Sequence, residues 1–232
     1  MDQVPGTPYK ILQSDKHFKY GVDSIVLSSF AQMKKGSRLA DLGSGVGILA
    51  LRSLYLYDLD RVYAYEIQED LASLIEESAQ LNGLEDRLIV EKKDLRQGIE
   101  AGLDYIITNP PYIEEGRGIS NLSPAKEIAF HEKFLKLEDI FVQARKSLKA
   151  RGRLFMVNRA NRLVDVMEEA RKARIEPVRL RMVQSYPASK PKFFLVEFVK
   201  DGGKNFVIES PLAIYKEEGV YSDELIKLYQ EP

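Results

Sequence analysis

The segment Asp41-Leu42-Gly43-Ser44-Gly45-Val46-Gly47 sets three glycines at alternate positions between a short apolar run, Arg38 to Asp41, and a helix-forming run from Ile48 to about Tyr57. Glycine alone adopts left-handed backbone without cost, so such a run reads as a tight turn joining a buried strand to a helix. That arrangement brings bare backbone and the positive end of a helix to one spot, where a ligand can approach closely. A chain built around it belongs to the α/β class.

The segments that follow keep the same rhythm. Arg61-Val62-Tyr63-Ala64-Tyr65 reads as a strand ending in Glu66, an acid placed where a ribose diol finds two acceptor oxygens. A helix is expected from Gln68 to Asn82, with Leu71, Leu74, Ile75 and Ala79 on one face and Gly83 just past its end. Leu88-Ile89-Val90-Glu91 is the next strand and leads to Asp94-Leu95. Leu103 to Thr108 is another, running into Asn109-Pro110-Pro111-Tyr112. Strands alternating with helices imply a parallel sheet. Two prolines lack N–H groups and hold φ fixed, so the last of these strands stops there, leaving an amide, two carbonyls and an aromatic ring at its carboxyl end. In open α/β sheets that end is where ligands sit.

The remaining chain completes one domain over residues 1–232. The first 36 residues are polar and irregular apart from a helix through Ile25 to Ala31, capped by Asp23 or Ser24, and are read as a segment covering the cofactor or substrate. Residues 113–124 hold two glycines and a proline without periodicity, and read as an active-site loop or a disordered stretch. A helix is expected from Lys133 to Lys149, its buried stripe being Phe134, Leu137, Phe141, Ala144 and Leu148. A strand follows at Arg153 to Val157, and another helix from Asn161 to Lys172. Val178 to Ser185 and Phe193 to Lys200 have no helix between them, so they are expected as antiparallel neighbours. Residues 201–232 form a small C-terminal extension with a short strand, Phe206 to Glu209, and a helix from Asp223 to Tyr229.

Composition narrows the chemistry. There is no cysteine and only two histidines, His17 and His131, which excludes disulfides and a thiol nucleophile and argues against a bound metal. No apolar run approaches the roughly 18 residues of a membrane span, and the first residues lack the features of a secretion signal, so a cytoplasmic protein is expected. Net charge is −1. Yet residues 145–192 hold 14 Lys and Arg against 4 acids. That asymmetry fits a polyanionic partner or ordinary solvated helix faces.

The glycine turn departs from the dinucleotide fingerprint, because Ile48 stands where the third glycine of G-x-G-x-x-G belongs. No Lys-Ser/Thr follows it, as a P-loop requires. Asp41, ahead of the first glycine, repels a pyrophosphate but suits an ammonium. These departures favour a ligand with an α-amino group, a ribose and a base.

In order along the chain, Asp41 to Gly47, Glu66, Asp94 and Asn109 to Tyr112 resemble the successive motifs of the class I S-adenosylmethionine-dependent methyltransferases. The resemblance covers about residues 37–200 and implies a Rossmann-like seven-stranded sheet, mostly parallel, with an antiparallel C-terminal hairpin. It implies that Asp41, Gly43, Gly45 and Gly47 take the methionine part of S-adenosylmethionine, Glu66 the ribose hydroxyls, and Asp94 with Leu95 the adenine. Asn109 also borders the cofactor.

Asn109, Pro110, Pro111 and Tyr112 are the expected catalytic residues. An amine conjugated to a ring or carbonyl is a poor nucleophile, since its lone pair is delocalised. The Asn109 side-chain oxygen and the Pro110 carbonyl can accept its N–H bonds out of plane and localise that pair, while Tyr112 stacks on the planar group. By resemblance, the motif marks methylation of adenine N6, cytosine N4, guanine N2 or glutamine N5.

Asn-Pro-Pro-Tyr-Ile also occurs in the glutamine-N5 methyltransferases that act on release factors, but those carry a helical domain ahead of the glycine turn. The opening Phe18…Asp23-Ser24-Ile25-Val26-Leu27 and the later Ala129-Phe130-His131-Glu132 are similar to the bacterial tRNA(Val) adenine-N6 methyltransferase family, with Phe130 in place of an arginine. The expected activity is therefore N-methylation of an exocyclic amine of nucleic acid, adenine N6 in tRNA first. Glutamine N5 of a protein, guanine N2 of rRNA and an idle RNA-binding module are the alternatives. Tyr112, His131, Arg181, Lys190 and Lys192 are the candidate RNA contacts.

Overall fold

The strand that ends at the glycine turn is also a centre of the sheet. The computed structural model describes residues 1–13, 20–110 and 136–230. Two short paired strands, β1 (Asp2–Gln3) and β2 (Lys10–Ile11), open the chain and are followed by α1 (Val22–Phe30). Then come β3 (Arg38–Leu42), α2 (Ile48–Leu56), β4 (Arg61–Tyr65), α3 (Glu69–Leu81), β5 (Leu88–Glu91) and β6 (Leu103–Thr108). After the second described break come α4 (Leu137–Ser147), β7 (Leu148–Arg159), α5 (Leu163–Lys172), β8 (Ile175–Gln184) and β9 (Pro191–Lys200). The chain closes with β10 (Val207–Ala213), the small hairpin β11 (Tyr215–Glu217) and β12 (Val220–Tyr221), and α6 (Asp223–Gln230).

The main sheet has the order β10-β8-β9-β7-β6-β3-β4-β5. β3 pairs in parallel with both β4 and β6, whereas β9 is antiparallel to both β7 and β8. The expected fold class holds, with one more strand than the seven expected. The extra strand, β10, runs parallel to β8 and covers an edge that would otherwise expose unpaired backbone groups. The chain therefore uses residues 207–213 as part of the main sheet, a longer strand than the Phe206 to Glu209 anticipated.

Side chains alternate across the sheet, as the pleat requires. Leu39, Ile107 and Phe155 face a layer formed by α1, α2, α3 and α6, while Ala40, Ile106 and Leu154 face α4 and α5. Arg52 on α2 is fully buried and binds the first layer together: its guanidinium donates to Ser28 and Ser29 on α1, to the Pro5 carbonyl and to the Leu228 carbonyl of α6. Residues from both chain ends thus meet on one side chain.

Several boundaries differ from expectation, β7 and β8 beginning earlier at Leu148 and Ile175 and α5 later at Leu163, and two differences have a clear local reason. Gly21, not Asp23 or Ser24, precedes the first helical residue, so Asp23 sits in the first turn and accepts the Ser24 N–H at 2.9 Å. Leu148 leaves the helix and pairs with Leu103 in the sheet, so α4 ends at Ser147 instead of Lys149. The expected helix start at Lys133 and Phe134, the loop at 113–124, and Pro111, Tyr112 and His131 lie outside the described residues. No helix among the described residues is long and apolar enough to cross a membrane.

Candidate active site

The chain runs outward from β3 through β4 to β5, then crosses back to place β6 on the other side of β3. Ligands bind at such reversal points, beyond the carboxyl ends of the strands. Here the two strand ends are the glycine turn and Asn109. Thr108, fully buried, donates its hydroxyl to the Leu42 carbonyl at 2.8 Å and locks these ends side by side.

Each of Gly43, Gly45 and Gly47 has a left-handed φ, at 73°, 57° and 85°. At Gly47, which precedes the first residue of α2, a Cβ would press within 3.0 Å of Ile75. At Gly43 and Gly45 nothing among the described residues lies within 4 Å of where a Cβ would be, so these two border space that the described residues leave open. The turn is stitched to the neighbouring strand: the Gly43 and Ser44 N–H groups both donate to the Tyr65 carbonyl at 3.0 Å.

Asp41 is 0% exposed, and neither of its carboxylate oxygens has a hydrogen-bond partner among the described residues. A buried charge without a partner is costly, so burial pushes its carboxyl up to about 7. The Ser44 hydroxyl donates to the Asp41 main-chain carbonyl at 3.0 Å, and it and the Ala50 N–H, close to the carboxylate but outside good hydrogen-bond geometry, offset only part of the cost of burial. A cationic group beside Asp41 would supply the missing partner.

Glu66, at the end of β4, is nearly buried. One carboxylate oxygen accepts the Gly45 N–H at 2.9 Å and the other accepts the Gln68 N–H at 2.9 Å. The acid is held directly against the glycine turn. Asp94 follows β5 and accepts the Arg96 N–H at 2.8 Å while pairing with the Arg96 guanidinium, which holds its carboxyl below the usual carboxylate range. Its oxygens are thus engaged by Arg96 in this structure. The Leu95 side chain is buried on the α4 face of the sheet.

Asn109 donates from Nδ2 to the Ser24 hydroxyl at 3.0 Å, which leaves Oδ1 as the carboxamide's acceptor atom. Pro110, next to it, is buried. Ser24 lies 85 residues away on α1 and was anticipated only as a cap, so the helix read as a covering segment reaches the end of β6 itself. No local pattern at Ser24 signals this contact; it exists because Arg52 draws α1 onto α2.

The basic segment divides. Among the described residues, cations of the segment that form ion pairs include Arg145, Lys149, Arg153, Arg162, Arg171, Lys172, Arg179 and Arg181. Five of the acids that answer them, Asp104, Asp201, Glu197, Glu209 and Glu224, lie outside the segment. Arg181 in particular donates to the Ser210 carbonyl at 2.9 Å and pairs with Glu224 at 2.7 Å, so its guanidinium braces β10 and α6 and is not an outward phosphate contact as anticipated. Lys190 and Lys192 are exposed and have no ion pair among the described residues. They sit on the β8–β9 hairpin, at the same end of the sheet as Gly43 and Asn109. Among the described residues no cluster of His, Asp and Glu could hold a metal ion.

Comparison with known proteins places this architecture. Residues 14–174 match the family model described as the methyltransferase small domain. The tRNA1(Val) (adenine(37)-N6)-methyltransferase of Porphyromonas gingivalis is 26% identical over 234 residues, covering 95% of this chain and 90% of the relative. The enzyme of the same name from Dyadobacter fermentans is 27% identical over 232 residues, covering 95% and 94%. Among solved structures, a predicted O-methyltransferase of Agrobacterium tumefaciens superposes with a TM-score of 0.72 at 17% identity, covering 90% of this chain and 97% of its own, a likeness of fold.

Proposed function

Because the chain belongs to the methyltransferase small domain family, we propose that this methyltransferase moves the methyl group of S-adenosylmethionine to N6 of an adenine in tRNA. The observation that carries the cofactor reading is Asp41, a buried carboxylate with both oxygens unpartnered beside a glycine turn whose Gly43 and Gly45 border open space. An α-ammonium fits that carboxylate. Glu66, already on the Gly45 N–H, stands where its oxygens reach ribose hydroxyls. Asp94 would have to exchange its Arg96 contact for an adenine amine, and Leu95, its side chain buried on the α4 face, would offer its backbone there. The bound cofactor supplies a sulfonium-activated methyl group.

The residues of this chain do the rest by positioning. Ser24 holds Nδ2 of Asn109, so Oδ1 accepts one N–H of the incoming amine, and the Pro110 carbonyl accepts the other. Both acceptors pull the amine out of conjugation and turn its lone pair toward the methyl carbon. A nitrogen that gained a methyl group in this way would carry positive charge and pass its proton readily to water, so the weak Asn109 and Pro110 acceptors would suffice without a strong base. Pro111 and Tyr112 lie outside the described residues; by residue type, a proline would fix φ after Pro110 and the tyrosine ring would stack on the base. Lys190, Lys192 and His131 are the proposed phosphate or RNA contacts. The names of the relatives support tRNA over a protein substrate.

The test is tritiated methyl transfer from S-adenosylmethionine to total tRNA and, separately, to purified release factor, followed by nucleoside analysis. N6-methyladenosine in tRNA is expected. Label on release factor alone would overturn the substrate, and a flat calorimetric titration with S-adenosylmethionine would overturn the cofactor.

A further inference from the structure

Four tyrosines form a row at the edge of the site. Tyr229 on α6 and Tyr221 on β12 stack with ring centroids 6.4 Å apart and planes within 18°. Tyr221 and Tyr215 on β11 stack at 5.2 Å and 16°, and Tyr215 meets Tyr186 at 5.6 Å with a 35° tilt. The inner end of the row is near the reacting strand: α6 packs on α1, whose Ser24 holds Asn109. The outer end, Tyr186, opens the β8–β9 turn that also carries Lys190, at the carboxyl end of the parallel strands.

Two features set this row apart from a buried clamp. Tyr186, the end of the row, is 38% exposed and meets a ring on one side, that of Tyr215, whereas Tyr221, 43% exposed, is stacked between Tyr215 and Tyr229 and presents its edge. The turn is also pinned: the Tyr215 N–H donates to the Ser185 carbonyl at 2.8 Å and the Tyr186 N–H to the Ser189 hydroxyl at 2.9 Å. The exposed rings therefore sit on ordered backbone. The neighbouring lysines, exposed and without ion pairs among the described residues, add positive charge beside them.

We propose that Tyr186, backed by the Tyr215–Tyr221–Tyr229 row and flanked by Lys190 and Lys192, is a stacking platform for an unpaired RNA base next to the methylated nucleotide. This rests on the nucleic-acid reading of the site and extends it. The Tyr186 ring takes the face of a flanking base, which every base possesses, and the lysines take the adjoining phosphates. The platform favours a substrate whose target lies in an open loop over one in a duplex.

The probe is a fluorescein-labelled RNA stem-loop with a purine-rich unpaired loop, compared by anisotropy with a fully paired RNA. Tyr186→Ala is expected to weaken stem-loop binding roughly tenfold and to leave duplex binding unchanged. Tyr186→Phe, which keeps the ring, should bind within about twofold of the parent, and KM for RNA should rise without a change in kcat or in cofactor affinity. Tyr186→Leu retains apolar bulk against Tyr215 but no flat face, and should match the alanine variant. Equal binding by Tyr186→Ala and the parent, or equal losses for stem-loop and duplex, overturns the platform. If the parent methylates RNA while Tyr186→Ala is unaffected, only the platform falls. If the parent neither binds nor methylates RNA, the functional reading falls with it.

Discussion

The two halves of the sheet hold their polar groups in different ways. From β3 to β6, the site groups sit at strand ends and are held mainly by backbone N–H groups and turn neighbours: Glu66 by Gly45 and Gln68, Asp94 by Arg96, while Asp41 has no partner among the described residues and Asn109 meets Ser24 of α1. From β7 to β10, charged side chains pair across neighbouring strands. Glu197, 2% exposed, takes Arg153 from one neighbouring strand and Arg179 from the other, and Arg179 reaches on to Glu209. Local chemistry marks the first half as a binding site. In the second half, much of the positive charge that suggests a polyanion partner is engaged in ion pairs, and Lys190 and Lys192 are the exposed cations that lie on the site-side hairpin.

The sharpest way to break this contrast is at Asn109. Asn109→Ala should lower methyl transfer at least a hundredfold, through loss of a positioned acceptor, with cofactor affinity changed by less than about twofold. Single-turnover transfer and calorimetry measure the two separately. A large loss of cofactor affinity would mean that Asn109 belongs to the cofactor site alone.

On the other half, Glu197→Gln should lower stability by about 3 kcal/mol, or Tm by about 6–12 °C, because it leaves the half-buried Arg179 undercompensated. Catalysis per folded molecule should not change. An unchanged melting temperature would show that the network is not structural.

Asp41 joins the two themes of site and burial. Its carboxyl is raised to about 7 by burial, so the folded, ligand-free protein holds a proton that the unfolded chain releases near pH 4. The stability this contributes is complete below about pH 4 and is lost as the pH climbs to 7. An ammonium ligand favours the charged form, so cofactor binding at pH 6 should release up to about one proton and at pH 8 almost none. Calorimetry in buffers of different ionisation enthalpy reads this directly. Asp41→Asn should bind the cofactor roughly tenfold more weakly and lose the proton release, yet gain stability at pH 8 when free. Proton release that is the same at both pH values would remove Asp41 from the ligand.

The smallest effects separate outward from inward cations. Lys190→Ala and Lys192→Ala should each reduce the slope of log affinity for RNA against log salt by roughly 0.7–0.9. Arg181→Ala should leave that slope alone and cost about 1 kcal/mol of stability, since it breaks a partly exposed pair with Glu224. A slope that changes equally in all three would restore the whole segment as an RNA face.

Much of the first half was legible in the sequence because its signals are short. β4, β5 and β6 begin and end where their apolar runs predict, since glycine, proline and acid side chains interrupt the ladder locally. The antiparallel β8–β9 pair was legible from the missing helix between its strands. β10 was underestimated because residues 209–211 carry a polar, proline-containing stretch, and only the unpaired edge of β8 makes it a strand. Arg181 was misjudged because charge counted along a sequence cannot see Glu224, 43 residues away.

The sequence by itself determined the α/β class, the glycine turn, the strand ends and the order of acids that follow them, since these depend on backbone conformation over a few residues. Tertiary structure decided what those groups face. It buried Asp41 without a hydrogen-bond partner among the described residues, brought Ser24 across 85 residues to Asn109, and tied much of the basic segment into ion pairs. The physical reason is that hydrogen bonds and ion pairs act over a few ångströms in space, whatever the distance along the chain.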